Sequence, residues 1–320
     1  MTVLLTGGAG YIGSHVARLL QQRGEKVVVV DDMSEGIRSR IGDAVLIQID
    51  LASSVAVELL TDAFREHEVT AVIHLAARKK VGESVERPDW YEQQNVGGMK
   101  NLLQAMESAG VKRLVFSSSA ATYGMPDVDQ VNEDFECKPI NPYGQTKLDG
   151  ERLARQASQD WGLREVSLRY FNVAGTGWPE LMDTQAANLV PIVFQSLAQG
   201  VAPRVFGNDF PTPDGTCVRD YVHVLDLASA HLAALDYLER EDRPFDVFNV
   251  GTGTGSSVLD VINEVAKVTG KEITPIIEAR RPGDPAALKA DVSRIESVLG
   301  WQAKHNLNDI ISSVWKAQNH

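Results

Sequence analysis

The sequence predicts an α/β protein in which a doubly wound parallel sheet is joined to a smaller, irregular α/β domain. Two observations predict the sheet: short apolar runs alternate with amphipathic helical runs from residue 2 to about residue 172, and a glycine-rich turn follows the first apolar run. A third observation predicts the smaller domain. From Gly175 onward the alternation loosens, and stretches rich in Pro and Gly, such as FGNDFPTPDGT, separate the elements.

The alternation predicts each element in turn. The apolar runs predict strands with the sequences TVLLT, KVVVV, AVLIQI, AVIHLA, RLVFSS and REVSLRYFN. Between them, apolar residues recur at helical spacing, which predicts helices over residues 11–23, 55–66, 88–109 and 141–161. Strand–helix–strand repeats of this kind form a parallel sheet with helices on both faces.

The turn after the first strand predicts a dinucleotide site. TGGAGYIG places four glycines between strand and helix: Gly7, Gly8, Gly10 and Gly13. They let the backbone turn tightly and approach a pyrophosphate, and the helix start offers N–H groups to it. Asp31 closes the second strand, where a carboxylate accepts hydrogen bonds from an adenosine ribose and repels a 2′-phosphate. We therefore predict a Rossmann-type domain that binds NAD. Asp50, after the third strand, reaches the adenine or forms a turn.

A second motif lies at a predicted helix start, in NPYGQTK. Asn141 is a good N-cap and Pro142 suits the first helical position, so Tyr143 lies in the first turn. Lys147 lies on the same face, because residues four apart are neighbours on a helix. Chance produces a YxxxK string often, so the string by itself favours a tyrosine packed at the edge of the core and a solvated lysine over a functional pair.

Composition excludes several classes of partner. The formal net charge is −12 with no basic run, which argues against nucleic acid and anionic membranes. No apolar stretch approaches the ~20 residues that span a bilayer, and the first residues lack a signal-peptide pattern, so we expect a cytoplasmic protein. Cys137 and Cys217 fit a reducing compartment, and with no metal-ligand spacing we predict no metal site.

Longer strings carry a family resemblance. TGGAGYIG, FSSSAATYG, YGQTK and RYFNVAG together resemble the extended short-chain dehydrogenase/reductase family. HLAARKKVGESV, FGNDFPTPDGTCVRDYVHV and RRPGDPAALKAD resemble its UDP-galactose (UDP-glucose) 4-epimerases, in order and over nearly the whole chain. The resemblance implies an NAD-binding domain over residues 1–174 with a returning segment at about 218–249, and a UDP-sugar-binding domain over 175–217 and 250–320. It also implies a C₂ homodimer joined through helices 88–109 and 141–161.

The resemblance implies a redox-neutral isomerisation. Hydride passes from C4 of the sugar to bound NAD, the 4-keto sugar rotates and the hydride returns, so that UDP-galactose and UDP-glucose interconvert. It implies Tyr143 as the general base, Ser119 as its proton relay beside the sugar and Lys147 as the cation that lowers the phenol pKa. A free phenol has a pKa near ~10, so a base at neutral pH needs a decrease of roughly 3 units.

Further residues are assigned through the same resemblance. Those implied to bind the cofactor, besides Tyr143 and Lys147, are Gly7, Gly10, Tyr11, Ile12, Gly13, Asp31, Asp32, Asp50, Leu51, Lys79 and Asn95. Those implied to bind the nucleotide sugar, besides Ser119 and Tyr143, are Asn172, Asn188, Arg219, Arg281, Asp284 and Leu288. A surface role stays open as the lesser alternative for Lys79, Arg219 and Arg281, since lysines and arginines commonly form solvated ion pairs.

Three alternatives stay open at this point. A nucleotide-sugar 4,6-dehydratase needs an added Asp-Glu pair after the active-site hydroxyl, where this chain has Ala120 and Ala121. A binding protein that senses NAD without turnover would have lost the base. A 4-epimerase of another UDP-sugar, an N-acetylhexosamine or a pentose, would keep every motif. Leu288 aligns where some epimerases carry Tyr and others a small residue, so we expect weak turnover of N-acetyl sugars, about 10- to 100-fold below the main pair.

Overall fold

The computed structural model describes residues 1–185, 188–240, 243–281 and 283–319. The chain divides into two compact units. The first unit comprises Met1–Gly124, Cys137–Arg169 and Ala228–Phe248, and the second comprises Met125–Glu136, Tyr170–Leu227 and Asn249–His320. The second unit includes residues 125–136, 170–174 and 218–227, which the family resemblance assigns to the NAD-binding domain. Short strands in these segments pair with strands of the second unit.

The elements are named in chain order. The strands are β1 (Thr2–Thr6), β2 (Lys26–Asp31), β3 (Val45–Gln48), β4 (Ala71–His74), β5 (Arg113–Ser117), β6 (Gln130–Val131), β7 (Arg164–Tyr170), β8 (Asn172–Ala174), β9 (Arg204–Phe206), β10 (Val218–Arg219), β11 (Tyr221–His223), β12 (Phe245–Val250), β13 (Ser256–Ser257), β14 (Ile276–Glu278) and β15 (Ala287–Ala290). The α-helices are α1 (Tyr11–Gln22), α2 (Ala56–Glu66), α3 (Val81–Glu86), α4 (Pro88–Tyr91), α5 (Gly98–Ala109), α6 (Pro142–Trp161), α7 (Leu189–Gln199), α8 (Val224–Arg240), α9 (Val258–Thr269), α10 (Ser293–Leu299) and α11 (Leu307–Gln318).

A seven-stranded sheet forms the centre of the first unit, in the order β12–β7–β5–β4–β1–β2–β3. The strands from β7 to β3 pair in parallel. After β1 the chain moves outward to β2 and β3, and after β4 it moves outward in the other direction. The predicted doubly wound sheet is therefore confirmed, and ligands of such sheets bind where the order reverses, beyond the carboxyl ends of β1 and β4.

The core of the first unit explains why these runs became strands and helices. All five residues of β1 are buried. Apolar side chains of α2, α5 and β5 pack together, among them Phe64, Met99 and Phe116, which are at most 3% exposed. Each buried apolar side chain of this size contributes about 1.5–3 kcal/mol relative to an exposed one.

The structure departs from the predicted helix over residues 88–109 at its centre. A π-helical segment, Glu92–Gly97, joins α4 to α5. The wider turn carries Asn95, which is 8% exposed and hydrogen-bonded inside the first unit. Helix α3 was not predicted, because its six residues are too few to show a helical period.

The second unit combines small sheets with three core helices. Strands β13–β10–β15–β6 form a four-stranded sheet, and β8 pairs with β11 and β9 with β14. Side chains of α7, α9 and α11, including Phe194, Ile262 and Ile311, form its core. Across the residues with described structure, no helix is both long and apolar enough to cross a membrane.

Candidate active site

The glycine turn between β1 and α1 brings backbone segments into close contact. Gly7 has φ +68°, and a Cβ there would lie 2.7 Å from the backbone nitrogen of Ala76. A Cβ on Gly13 would lie 2.2 Å from the Gly7 carbonyl oxygen. A Cβ on Gly10 would meet only that carbonyl, at 3.3 Å, among the described residues. Gly7 and Gly13 are therefore required by packing, whereas Gly10 borders open space.

Helix α1 begins beside that open space. Gly10 is its N-cap, and within the described part of the chain no side chain caps this end and no acidic residue lies in the first turn. The first turn of a helix has backbone N–H groups without intrahelical acceptors and a partial positive charge. The predicted residues Gly10, Tyr11, Ile12 and Gly13 thus form a cradle that fits the pyrophosphate of a dinucleotide.

Asp31 lies at the carboxyl end of β2, as predicted. Its Oδ2 accepts a hydrogen bond from the Ala9 N–H at 3.0 Å, and its Oδ1 accepts one from the Met33 N–H at 3.0 Å. Burial raises the pKa of the carboxyl, and these two hydrogen bonds oppose the rise. The carboxylate is fixed, and its remaining lone pairs fit ribose hydroxyls.

Arg78 is a residue at this edge of the sheet that the sequence analysis missed. Its Nη2 donates to Asp32 Oδ2 at 2.5 Å, and its Nη1 donates to Ser34 Oγ at 2.6 Å. Burial raises the pKa of Asp32, but hydrogen bonds from Ser34 and the charge of Arg78 outweigh burial and leave it below its ordinary value. The sequence contained one signal for this contact. Arg78 follows β4 and Asp32 follows β2, and both strands are neighbours of β1 in a doubly wound sheet, so the two side chains lie at the same edge.

The two lysines after Arg78 have different environments. Lys80 Nζ donates to Glu35 Oε1 at 2.8 Å, and the Tyr91 hydroxyl bonds both backbone groups of Lys80 at 2.9 Å. Lys79 is exposed and has no ion pair with any described residue. An unpaired cation on an anchored loop suits the predicted contact with the cofactor.

Three other predicted cofactor residues are engaged by the protein itself. The Asn95 side chain accepts from the Arg78 N–H at 2.8 Å and donates to the Arg78 carbonyl and Thr146 Oγ1, both at 3.0 Å. Asp50 accepts a backbone N–H two residues further on, at 2.9 Å, which is the turn that the sequence left open. Leu51 is buried in the core of the first unit. Direct contact of these residues with NAD stays a prediction.

Tyr143 and Ser119 meet inside the first unit. Asn141 caps α6 by accepting the Gly144 N–H at 2.8 Å, which fixes Tyr143 in the first turn. Ser119 is the N-cap of a short 3₁₀ turn after β5. Burial raises the pKa of Tyr143, and a hydrogen bond with Ser119 opposes the rise. In the chain alone burial outweighs this bond, so the phenol is protonated at neutral pH.

Lys147 lies one turn after Tyr143 and is 3% exposed. Its ammonium donates to the Ser117 carbonyl at 2.7 Å. Burial lowers the pKa of Lys147 to about 7, against the opposing charge of Glu151. Burial and the charge of Lys147 lower the pKa of His74 to about 3, so this histidine is neutral and its ring bonds Thr6. The predicted tyrosine and lysine are thus both buried on α6, and the half-buried Ser119 is hydrogen-bonded to the tyrosine.

In the second unit, Arg219, Asp284 and Leu288 lie together. Arg219 on β10 is opposite Leu288 on β15 in the parallel register. The Arg219 guanidinium donates to the Pro285 carbonyl at 2.9 Å and lies 3.5 Å from Asp284 Oδ1. The carboxylate and the guanidinium predicted to bind different parts of a nucleotide are therefore neighbours, and the Leu288 backbone is fixed beside them.

The other predicted substrate residues of this unit are the exposed Arg281 and the half-buried Asn172 and Asn188. Arg281 is exposed, and its guanidinium lies 3.7 Å from the centre of the Phe206 ring at the end of β9. Asn188 is the N-cap of α7, and its amide donates to the Val173 carbonyl at 3.4 Å. Asn172 begins β8, next to Val173. Planar guanidinium groups of this kind are suited to the oxygens of a diphosphate.

Comparisons with known proteins agree with this geometry. Residues 3–251 match the model of the NAD dependent epimerase/dehydratase family. A UDP-glucose 4-epimerase from Streptococcus mutans is 45% identical over 324 residues, covering 98% of this chain and 96% of that protein.

Solved structures are similar over the full length. A UDP-glucose-4-epimerase from Stenotrophomonas maltophila, with bound NAD and formylated UDP-arabinopyranose, is 42% identical with a TM-score of 0.94, covering 100% of this chain and 98% of that one. A UDP-glucose 4-epimerase from Brucella ovis in complex with NAD is 38% identical with a TM-score of 0.93, covering 99% and 98%. This chain therefore belongs to the NAD dependent epimerase/dehydratase family and, within it, to the UDP-glucose 4-epimerases.

Proposed function

We propose that this chain is an NAD-dependent isomerase that interconverts UDP-galactose and UDP-glucose. The observation that carries the proposal is the hydrogen-bonded Ser119–Tyr143 pair, with buried Lys147 one helical turn further along α6, in the unit that also holds the open glycine turn and Asp31. The similarity to UDP-glucose 4-epimerases over 98% of the chain supports it.

The cofactor is NAD, held by the start of α1 at the pyrophosphate and by Asp31 at the ribose. When bound, it supplies a hydride acceptor, a positive charge in its oxidised form and, after reduction, a hydride donor. Lys79 is proposed to neutralise cofactor phosphates. Because the cycle has no net redox change, NAD(H) stays with the protein, and denaturing the purified protein should release it.

Three residues of the chain are proposed to act in the transfer of the proton of the sugar 4-hydroxyl. Tyr143 takes the proton of the sugar 4-hydroxyl as the C4–H bond breaks and the C4 carbonyl forms, and it returns the proton when hydride is delivered to the other face of the rotated 4-keto sugar. Ser119 bonds the phenol and relays the proton, which fits its place beside Tyr143. Lys147, in its cationic form, stabilises the phenolate.

The second unit is proposed to hold the UDP group. Arg219 and Arg281 bind the diphosphate, Asp284 accepts from the uridine ribose, and Asn172 and Asn188 add polar contacts. Leu288 limits the space for a substituent at C2 of the sugar. The neighbourhood of Arg219, Asp284 and Leu288 supports this assignment.

Two further expectations accompany the function. The chain is proposed to form a homodimer through the segment Pro88–Ala109 and helix α6, and measurement of its mass in solution at micromolar concentration tests this. A cytoplasmic location is proposed because Cys137 and Cys217 are both free thiols.

One experiment tests the activity and its main alternative. Purified protein is incubated separately with UDP-galactose, UDP-glucose, their N-acetyl forms and a UDP-pentose, and the products are separated by chromatography. Interconversion of the first pair at the highest kcat/KM supports the proposal. Equal or better turnover of another UDP-sugar identifies a different 4-epimerase, and a dehydrated keto product contradicts epimerisation.

A further inference from the structure

We propose that Glu151 is a positioning residue of the active site: it anchors the backbone that carries Ser119 and places a negative charge one helical turn from Lys147. The inference rests on the proposed function, because that reaction defines the roles of Ser119 and Lys147. Glu151 itself is not proposed to touch substrate or cofactor.

The contacts of Glu151 join three elements of the first unit. Its Oε1 accepts from the Ser118 hydroxyl, directly after β5, and from Arg169 Nε at 2.9 Å. Its Oε2 accepts from Arg169 Nη2 at 2.6 Å, so the β7 arginine binds both carboxylate oxygens. Arg169 Nη1 in turn donates to the Tyr123 hydroxyl at 3.1 Å. All of these side chains are buried.

This network lies on both sides of Ser119 in the chain. Ser118 precedes it, and the 3₁₀ turn that Ser119 caps ends at Tyr123. Both neighbours are tied to the Glu151–Arg169 pair, and the Ser119 hydroxyl bonds Tyr143. A displacement of ~1 Å in a reacting group can lower turnover about 100-fold, so an anchor at this point has a direct effect on catalysis.

The charge of Glu151 acts on Lys147. The two residues are four apart on α6 and therefore lie on one face. Burial lowers the pKa of Lys147 to about 7, and the carboxylate of Glu151 opposes that decrease. Without this charge, the lysine would be neutral in a larger fraction of molecules at neutral pH. An unpaired Arg169 would act in the same direction, because its positive charge repels the ammonium.

The other titratable groups near Lys147 and Arg169 are mostly uncharged at neutral pH, so Glu151 supplies the negative charge. Facing Lys147 are neutral His74 from β4 and, from β5, the Phe116 ring at 5.1 Å and the Ser117 carbonyl. On the side of Arg169, burial raises the pKa of Glu165 to about 8 and raises the pKa of the Cys137 thiol. Both groups are therefore mostly uncharged at neutral pH.

The test compares Glu151→Gln with wild type, with Glu165→Gln as the matched control. Both changes remove a buried carboxyl of the first unit with little change in volume. For UDP-galactose between about pH 6 and 9, Glu151→Gln should lower kcat about 10- to 100-fold with little change in KM. The alkaline limb of its kcat profile should move about one to two units to lower pH, because the pKa of Lys147 falls. Glu165→Gln should keep the wild-type kcat at neutral pH and the wild-type limb.

Two further variants separate anchoring from charge. Ser118→Ala removes the hydroxyl contact and should lower kcat without moving the alkaline limb. Glu151→Asp keeps the charge on a shorter side chain and should also keep the limb near wild type. If Glu151→Gln does not fold, because it leaves Arg169 buried without its ion-pair partner, Ser118→Ala and Glu151→Asp still test the inference.

Several results would overturn the inference. Wild-type kcat in Glu151→Gln or Ser118→Ala would remove the anchoring role. An equal loss of activity at every pH, with the alkaline limb unmoved in Glu151→Gln, would remove the role of the charge. Wild-type protein that does not turn over UDP-galactose is a different failure, since it contradicts the proposed function before any variant is compared.

Discussion

The two units hold their candidate site residues in opposite environments. In the first unit, Tyr143 and Lys147 are buried, and burial shifts the pKa of both. In the second unit, Arg281 is exposed and Arg219 is half-buried. A tyrosine that acts as a base at neutral pH needs a pKa below its value in water, and because burial raises the pKa of Tyr143, that decrease must come from positive charge beside the phenol. Capture of an anion instead needs permanent charges that solvent and ligand can reach.

The strongest test of this comparison is Tyr143→Phe. The substitution keeps the buried ring and removes the proton acceptor, so kcat should fall about 10²- to 10⁴-fold with an unchanged fold and KM. Steady-state kinetics measure kcat and KM, and circular dichroism measures the fold. Tyr237→Phe is the matched control, because Tyr237 is also a buried tyrosine of the first unit with its hydroxyl bonded to Asp246. Near-wild-type turnover of Tyr143→Phe would refute the proposed base.

Glu165 tests whether burial in the first unit shifts a pKa outside the active site. Burial raises its pKa from 4.5 to about 8, so the folded chain retains a proton that the unfolded chain loses. The free energy of unfolding of wild type should therefore decrease as pH rises from about 4.5 to 8, because the unfolded chain gives up the Glu165 proton in this range and the folded chain keeps it. Relative to wild type, Glu165→Gln should gain about 3 kcal/mol of unfolding free energy between pH 5 and pH 8. Denaturant titrations at both values measure the difference, and parallel curves would show that Glu165 is ionised.

The accessible arginines should affect binding more than turnover. Arg281→Ala is expected to raise KM for UDP-galactose about 10- to 100-fold with a smaller change in kcat, because it removes a charge-assisted contact. Arg280→Ala is the control, since the neighbouring guanidinium pairs with Asp209. Similar KM values for both variants would show that Arg281 is a surface cation.

The smallest expected effect is at Leu288, the apolar neighbour of Arg219. Leu288→Ser should raise kcat/KM for the N-acetyl sugars by up to about tenfold relative to the UDP-galactose/UDP-glucose pair, because a smaller side chain leaves room to solvate the amide. The ratio of the two efficiencies in wild type and variant measures this directly. An unchanged ratio would show that Leu288 does not face the sugar.

Local sequence patterns could predict the elements and the motifs within them. The alternation of strands and helices, the cap at Asn141 and the positions of Gly7, Gly13 and Asp31 follow from local rules of packing and backbone geometry, and the structure confirms them. The roles of the substrate residues came from family resemblance, because no local rule connects Asn172 or Asp284 with a nucleotide.

The tertiary structure decided which groups meet across the chain. Arg78 contacts Asp32, which is 46 positions away in the chain. Asn95 joins the Arg78 loop to Thr146 from a π-helical turn, which the spacing of apolar residues in the sequence does not predict. Burial also decided the charge states, since it raises the pKa of Tyr143 and lowers that of Lys147 to about 7. A sequence specifies the type and spacing of ionisable groups, whereas desolvation depends on the atoms that surround them after folding.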